Sequence, residues 1–238
     1  MNKSRKVFYL VGIVLMSFLF FTPILEAGMS YQLTFASRYI WRGFDMNPDN
    51  KPALQPSLTY NFGESGVALN LWGSISFEHK QLNEADITLS YTFKTPSKYS
   101  LSVGFTHYGW YFADDFTFKN NTSQEVYVSA GLPECFLSPN LSVYYDFGVG
   151  DGLYAQLGVA HRLNVAKEVG IDLSASLGYT SKQWVDKSGF TNLLLGATVP
   201  FKVDKVTISP FVNMIFILMD EINPGTDNEF VLGASIQF

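Results

Sequence analysis

The feature that most constrains this chain is a period-two alternation of apolar with small or polar residues, repeated in segment after segment of roughly 9–11 residues, the length that lets a tilted strand cross hydrocarbon. Period two sends successive side chains to opposite faces of a strand, so each segment has one apolar face and one face of Ser, Thr, Asn and Gly. In Ala85–Phe93, residues Ile87, Leu89, Tyr91 and Phe93 oppose Asp86, Thr88, Ser90 and Thr92. In the last stretch Phe230, Leu232, Ala234, Ile236 and Phe238 oppose Gly233, Ser235 and Gln237, with Val231 the exception. No stretch beyond the N-terminus approaches the roughly 18 uninterrupted apolar residues of a membrane-spanning helix.

The alternation predicts strands over Tyr31–Trp41, Leu54–Phe62, Val67–Phe77, Ala85–Phe93, Tyr99–Trp110, Gln124–Leu132, Leu141–Phe147, Leu153–Leu163, Val169–Tyr179, Asn192–Phe201, Val206–Phe216 and Asn228–Phe238. Twelve is even, as an antiparallel barrel of a single bacterial chain requires, and closure satisfies the backbone groups that an open edge would leave unpaired in lipid. The expected fold is therefore all-β: a transmembrane antiparallel β-barrel of about 12 strands. In the first strand the parity assigns Tyr31, Leu33, Phe35, Ser37, Tyr39 and Trp41 to the outer row. Pro56 and Pro210 fall inside predicted strands, where each removes a ladder donor, so a bulge or a late strand start is expected at both.

Met1–Lys6 carries three bases, Val7–Phe21 is apolar but for one Ser and one Gly, and a short segment follows to Ala27. That order predicts a cleavable signal peptide over residues 1–27 and a barrel over 28–238. The alternative is a retained N-terminal anchor. Removing Lys3, Arg5, Lys6 and Glu26 takes Lys+Arg from 16 to 13 and Asp+Glu from 21 to 20, so the net charge moves from -5 to -7. An acidic surface argues against nucleic acid as a partner. The single Cys135 forms no intramolecular disulfide, and a turn position as a bystander is expected.

Short connections at Gly63–Gly66, Lys94–Lys98, Pro133–Pro139, Asn164–Glu168 and Lys202–Lys205 alternate with others that include the longer Gly43–Ala53, Phe112–Ser123 and Met219–Asp227. This asymmetry places both termini on the short-turn, periplasmic side. Outward Tyr31, Tyr60, Phe62, Tyr91, Phe93, Tyr99, Phe201 and Phe238 gather there as an interfacial girdle. A soluble β-sandwich or lipocalin-like barrel would bury the same apolar rows, yet its solvent face would carry Lys and Glu where this chain has Gly, Ser and Thr.

Two resemblances follow from these residues. A strand ending the chain on Phe238, with Phe230, Leu232, Ala234 and Ile236 on its apolar face, resembles the C-terminal signal that bacterial outer-membrane barrels present to the barrel-assembly machinery. Ala36-Ser37-Arg38-Tyr39-Ile40-Trp41-Arg42-Gly43, Lys51-Pro52-Ala53-Leu54-Gln55-Pro56 and Gly66–Ser74 resemble the opening of the TorF-like family of outer-membrane porins. The matching positions are Ser37, Tyr39, Arg42, Gly43, Pro52, Ala53 and Gln55, while Arg38 stands where that family has an acidic or amide residue. The resemblance implies a Gram-negative outer-membrane barrel in contact with lipid, with a pore for small hydrophilic solutes and no cofactor.

Arg38 and Arg42, four apart on the predicted first strand, share its inner face with Asp86, Glu125, Asp146, Arg162, Asp172 and Glu229 on theirs. Five acids against three bases make the expected lumen weakly negative, which favours cations; alternatively the charges pair across the lumen and hold the wall in register. Arg162 is expected opposite or nearly opposite Asp172, and Arg42, Asp86, Glu125 and Asp146 toward the extracellular end. Catalysis is not expected. His79, His107 and His161 are followed two residues later by Gln81, Gly109 and Leu163, so no base–nucleophile pair forms, and no Asp has a His two positions on. The three His lack metal-ligand spacing, and Asp114-Asp115 reads as a solvated loop tip. A passive channel is the leading functional reading. A closed barrel with a structural or interaction role comes second, since Trp72, Tyr108, Tyr127, Tyr144, Tyr154 and Phe211 are bulky enough to fill a lumen, and an enzyme comes third.

Overall fold

A computed structural model describes residues 28–47, 51–78, 81–110, 122–166 and 169–238. The expected signal peptide and Asp114-Asp115 lie outside the described residues. In chain order the elements are β1 (Met29–Ala36), β2 (Ile40–Trp41), β3 (Phe44–Asp45), β4 (Ala53–Asn61), β5 (Val67–Ser76), β6 (Gln81–Thr92), β7 (Ser100–Trp110), β8 (Thr122–Gly131), β9 (Asn140–Asp146), β10 (Gly152–Asn164), β11 (Gly170–Ser181), β12 (Ser188–Thr198), β13 (Phe201–Val203), β14 (Val206–Ile217) and β15 (Glu229–Gln237).

Each barrel strand pairs antiparallel with its sequence neighbour around the ring, and β1 pairs with both β4 and β15, which closes the wall. Twelve staves result, because β12 and β13 pair with β14 in one register on either side of a break at Val199-Pro200. Pro200 has no N–H to donate there, and Val199 N–H donates to the Pro210 carbonyl across the break. The predicted strand Asn192–Phe201 is thus one stave in two pieces. The bulges expected at Pro56 and Pro210 do not form: Pro56 sits opposite Leu33 and Pro210 opposite Ala234 in continuous register. Register shifts occur instead between Ser74 and Ile75 of β5 and between Leu177 and Tyr179 of β11.

The outer face is the apolar one. Leu71, Ile87, Leu89, Val126, Leu141, Leu157, Phe230 and Leu232 are exposed, while Ser74, Ser76, Ser123, Glu125, Asp146 and Thr180 are buried inside. This inversion of soluble burial is what a lipid-facing barrel requires. Phe62, Tyr91, Phe93, Tyr99, Phe201 and Phe238 ring the near end, at which β1 starts and β15 finishes, with Tyr60–Phe62 and Tyr91–Phe93 packed edge-on at 4.7 Å. A second outward aromatic set, including Phe35–Phe77 and Tyr179–Phe190, lies toward the far end. Phe230 and Phe238 stand eight residues apart, about 27 Å along a strand and roughly 20 Å of height at a tilt near 40°. The connections 37–52 and 218–228, both at the far end, exceed every near-end turn. Cys135 is exposed in the near-end turn between β8 and β9.

Candidate functional site

The largest departure from the sequence reading is at the first strand. It ends at Ala36 rather than Trp41, because Ser37 takes over the ladder: its N–H donates to the Leu232 carbonyl at 2.7 Å and its Oγ accepts from the Leu232 N–H at 3.0 Å. The chain then turns into the lumen as the hairpin β2–β3, with Ile40 opposite Asp45 and Trp41 opposite Phe44. Its two turn residues, Arg42 (φ 52°) and Gly43 (φ 88°), have the consecutive left-handed conformations of a tight two-residue hairpin turn, which suits glycine and strains arginine. Tyr39 and Trp41, assigned to the outer row by parity, therefore point inward: Tyr39 packs on Trp72 and Trp41 on Tyr108 and Trp184. Arg38 and Arg42 are likewise not two residues of one strand face; both reach the interior because the chain leaves the wall.

The hairpin crosses the bore between two unlike walls. Toward β12, β14 and β15, Ile40 packs against an apolar cluster of Ala36, Ile215 and Val231 with Leu194, Phe211 and Ile217. Toward β7–β10 the wall is acidic and aromatic. Arg42 donates through Nη1 and Nη2 to the two oxygens of Glu125, at 2.6 and 2.9 Å, and through Nη1 to Gln183 Oε1 at 2.5 Å. Its guanidinium lies 4.5 Å from the ring centres of Trp41 and Tyr144 and 4.3 Å from that of Tyr154. Glu125 also accepts from Tyr108 Oη and Gln183 Nε2, each at 2.8 Å, so its carboxylate is fully engaged. Both partners are almost dry, with side-chain exposures of 8% for Arg42 and 1% for Glu125.

Other contacts fix the segment around the turn. Asn223 donates to the Arg42 carbonyl at 3.3 Å, the Met46 N–H donates to the Tyr39 carbonyl at 2.8 Å, and buried Asn47 accepts from Asn83 at 2.9 Å. Pro52, whose carbonyl accepts from the Asn47 amide, leads into Ala53, fully buried opposite Ala36, and Gln55 faces the lumen two residues on.

The remaining candidates separate into two groups. Arg38 pairs with Glu229, Asp146 accepts from Ser123 Oγ at 2.5 Å and the Gly148 N–H at 2.9 Å, and Asp86 sits between Trp72 of β5 and Tyr108 of β7 in register. These join Arg42 and Glu125 in the far-end half. Arg162 and Asp172 lie directly opposite each other near the other mouth, at 2.9 and 3.1 Å, and are about half exposed. Among the described residues Glu84, Asp86 and Asp146 have no ion-pair partner, so the far-end lumen holds three carboxyl groups beyond those that its arginines pair.

Two cavities flank the hairpin. One of about 380 Å³ lies beside Arg42, Tyr144, Tyr154, Gln156 and Asn192. The other, about 300 Å³, lies beside Tyr39, Trp72, Gln55, Asp86 and Phe211. Toward the near mouth the wall is polar, with Asn70 donating to Ser57 and Thr59, Ser142 donating to Ser129, and Thr88 meeting Thr106. Neither His107, beside Gln124, nor His161, packed against Phe136, belongs to a metal-binding group of the described residues.

Sequence reasoning missed Gln183, Glu84, Asn47 and Asn223. Gln183 reaches Glu125 because Lys182 (φ 62°) and Trp184 (φ 63°) curl the β11–β12 loop inward, which no periodicity encodes. Arg42-Gly43 was a legible signal, a turn pair that the alternating pattern running up to it concealed.

A family model described as "Bacterial protein of unknown function (Gcw_chp)" matches residues 25–211. No curated protein matches the chain in sequence. Among solved structures, the NanC porin is similar over 87% of this chain and 97% of its own, with TM-score 0.55 and 11% identity. The KdgM porin, also known in complex with disordered oligogalacturonate, is similar over 89% of this chain and 98% of its own, with TM-score 0.56 and 14% identity. An outer-membrane channel of Pseudomonas putida F1 is similar over 90% and 96%, with TM-score 0.50 and 10% identity. At these identities the likeness establishes the fold, that of small outer-membrane porin barrels.

Proposed function

The chain belongs to the Gcw_chp family of bacterial proteins, whose function is not known, and we propose that it is an outer-membrane channel passing small hydrophilic solutes, uncharged or cationic, past a hairpin folded into its lumen. The observation that carries the reading is the lumen itself: a polar near-end vestibule leads to two cavities on either side of β2–β3. Such a channel works by diffusion through a bore whose width and charge select, and assigns no residue a catalytic step. Three far-end carboxylates without a cation partner favour cations over anions such as oligogalacturonate. The TorF-like resemblance of 36–43, 51–56 and 66–74 agrees with this reading. So do the lipid-facing aromatic sets and a last strand suited to the barrel-assembly machinery, which support a Gram-negative outer-membrane location with periplasmic termini.

A closed barrel with an interaction role is the second reading. It is favoured by the Arg42–Glu125 seal and by the inward Trp72, Tyr108, Tyr127, Tyr144, Tyr154 and Phe211. Single-channel recording of the refolded protein in a planar bilayer across a KCl gradient decides between them. Steady current with a cation-selective reversal potential supports the channel. A silent protein whose gel migration shows a folded, heat-modifiable barrel overturns it for the closed reading.

A further inference from the structure

We propose that the cavity between the hairpin and strands β4–β6 is a binding site for a small organic ammonium ion, held by the Asp86 carboxylate inside a cage formed by Tyr39, Trp41 and Trp72. The proposal names a solute class for the channel read above and rests on that reading only for passage, not for binding.

Register fixes the anionic group. Asp86 lies opposite Trp72 on one side and Tyr108 on the other, so its carboxylate is flanked by aromatic side chains. The hydrogen bond it accepts is a long one, from the Gly109 N–H at 3.4 Å, and no cation among the described residues pairs with it. The two arginines of the hairpin segment are already committed, Arg42 to Glu125 and Gln183 and Arg38 to Glu229, although Arg38 also borders this cavity. Two residues along the same face of β6, Glu84 is buried with Oε2 unpartnered, a second carboxyl group beside the first. A carboxyl group desolvated to this degree keeps its proton while nothing pairs with it, and an ammonium seated beside it supplies the compensating charge as that proton leaves to water.

The walls say which kind of cation. Tyr39 and Trp72 meet with ring centres 5.5 Å apart and planes inclined at 56°, and Trp41 closes a third side. Aromatic faces attract an alkylammonium, whose charge is spread over weakly hydrated C–H and N–H groups. The side away from Asp86 is mainly hydrocarbon, from Phe211, Ile215 and Val231 with Asn213 among them, and suits a largely apolar tail. At about 300 Å³ the space is at the small end for ligand pockets. A bare metal ion is served poorly, since no group of three ligating side chains occurs among the described residues.

The test is calorimetric titration of the refolded, detergent-held barrel with phenethylammonium and, in parallel, with 2-phenylethanol, which keeps the ring and chain but replaces the ammonium by a hydroxyl. The ammonium is expected to bind with one-to-one saturation and at least tenfold more tightly than the alcohol. Asp86→Asn should erase that preference, and Trp72→Leu should weaken the ammonium severalfold. Equal affinities for the two probes, or no saturable heat with the ammonium, would overturn the proposal. The wild-type comparison decides even where a variant does not fold. A barrel that is silent in the bilayer yet binds the ammonium sinks the channel and keeps the site, whereas a conducting barrel indifferent to the ammonium does the reverse.

Discussion

Arg42→Met should open the lumen beyond the passages that flank the seated hairpin. The substitution keeps much of the side-chain volume and removes the charge together with the two bonds to Glu125 at 2.6 and 2.9 Å and the one to Gln183. Glu125 then remains as a buried carboxylate with only Tyr108 and Gln183 as donors. Removing one partner of a buried ion pair costs about 3–5 kcal/mol, most of it the stranded charge. The loss falls on the hairpin rather than on the wall, because the barrel ladder does not run through β2–β3. Two strands of two residues have little stability of their own, so the hairpin stays in the bore only while its side chains anchor it.

At about 1.4 kcal/mol per factor of ten, a loss of 4 kcal/mol multiplies the ratio of displaced to seated hairpin by roughly a thousand. Single-channel recording of the reconstituted variant should therefore show a large rise in open probability over wild type. Arg42→Met combined with Glu125→Gln removes the stranded charge while leaving an amide oxygen for Tyr108 and Gln183, and should return most of the closure. An Arg42→Met barrel that migrates as folded and shows the open probability of wild type would refute the view that this ion pair holds the hairpin shut.

Three further outcomes follow from the wall and its rims. Gly233→Val places a Cβ against the Phe35 carbonyl and the Phe211 ring at the seam between β14, β15 and β1, and should cost about 1–3 kcal/mol, read as a lower urea midpoint for loss of the folded gel band. Arg162→Gln breaks a pair that is half exposed and already set opposite by the ladder, so its unfolding free energy should change by less than about 1 kcal/mol in the same titration. Lys187 holds the Glu221 carboxyl below its usual range on the far-end rim, so the contact stabilises above the ordinary Glu range and fades as pH falls through the lowered value; both groups are so exposed that Lys187→Met should leave the thermal midpoint at neutral pH unmoved.

The wall was legible in the sequence because lipid imposes a strict rule on it. Outward positions must be apolar or, like His107 and Gln124, bonded to each other, and a one-residue slip would turn Asp86, Glu125 or Asp172 into hydrocarbon. Period two therefore recovered the staves and placed Arg162 opposite Asp172. The lumen follows no such rule. Tyr39 and Trp41 continue the alternation of β1 without belonging to it, since an aromatic suits the lumen as well as the interface, and only the left-handed pair Arg42-Gly43 marks the turn. Gln183 and Asn223 come from loops whose inward course depends on what they meet, and their contacts with Glu125 and with the Arg42 backbone span 58 and 181 residues of sequence. Pro56 and Pro210 mislead in the opposite sense, because a stave tolerates a missing donor without a change of register.

Two anchors on opposite walls should also act on one equilibrium. Ile40 covers the apolar stripe of Ile215, Val231 and Leu194, an unusual lining for a bore and one that water would otherwise wet. Burying an Ile side chain contributes about 1.5–3 kcal/mol, so Ile40→Asn should raise the displaced-to-seated ratio by tens to about a hundredfold, less than Arg42→Met. Because both substitutions free the same hairpin, their effects on that ratio should multiply, but open probability follows the ratio only while the seated state still dominates. Once Arg42→Met has displaced most of the hairpins, adding Ile40→Asn should change open probability little, whereas in the wild-type background it should change it clearly. Comparable increments in both backgrounds would mean that Ile40 and Arg42 gate separate paths, one through each flanking cavity, rather than a single hairpin.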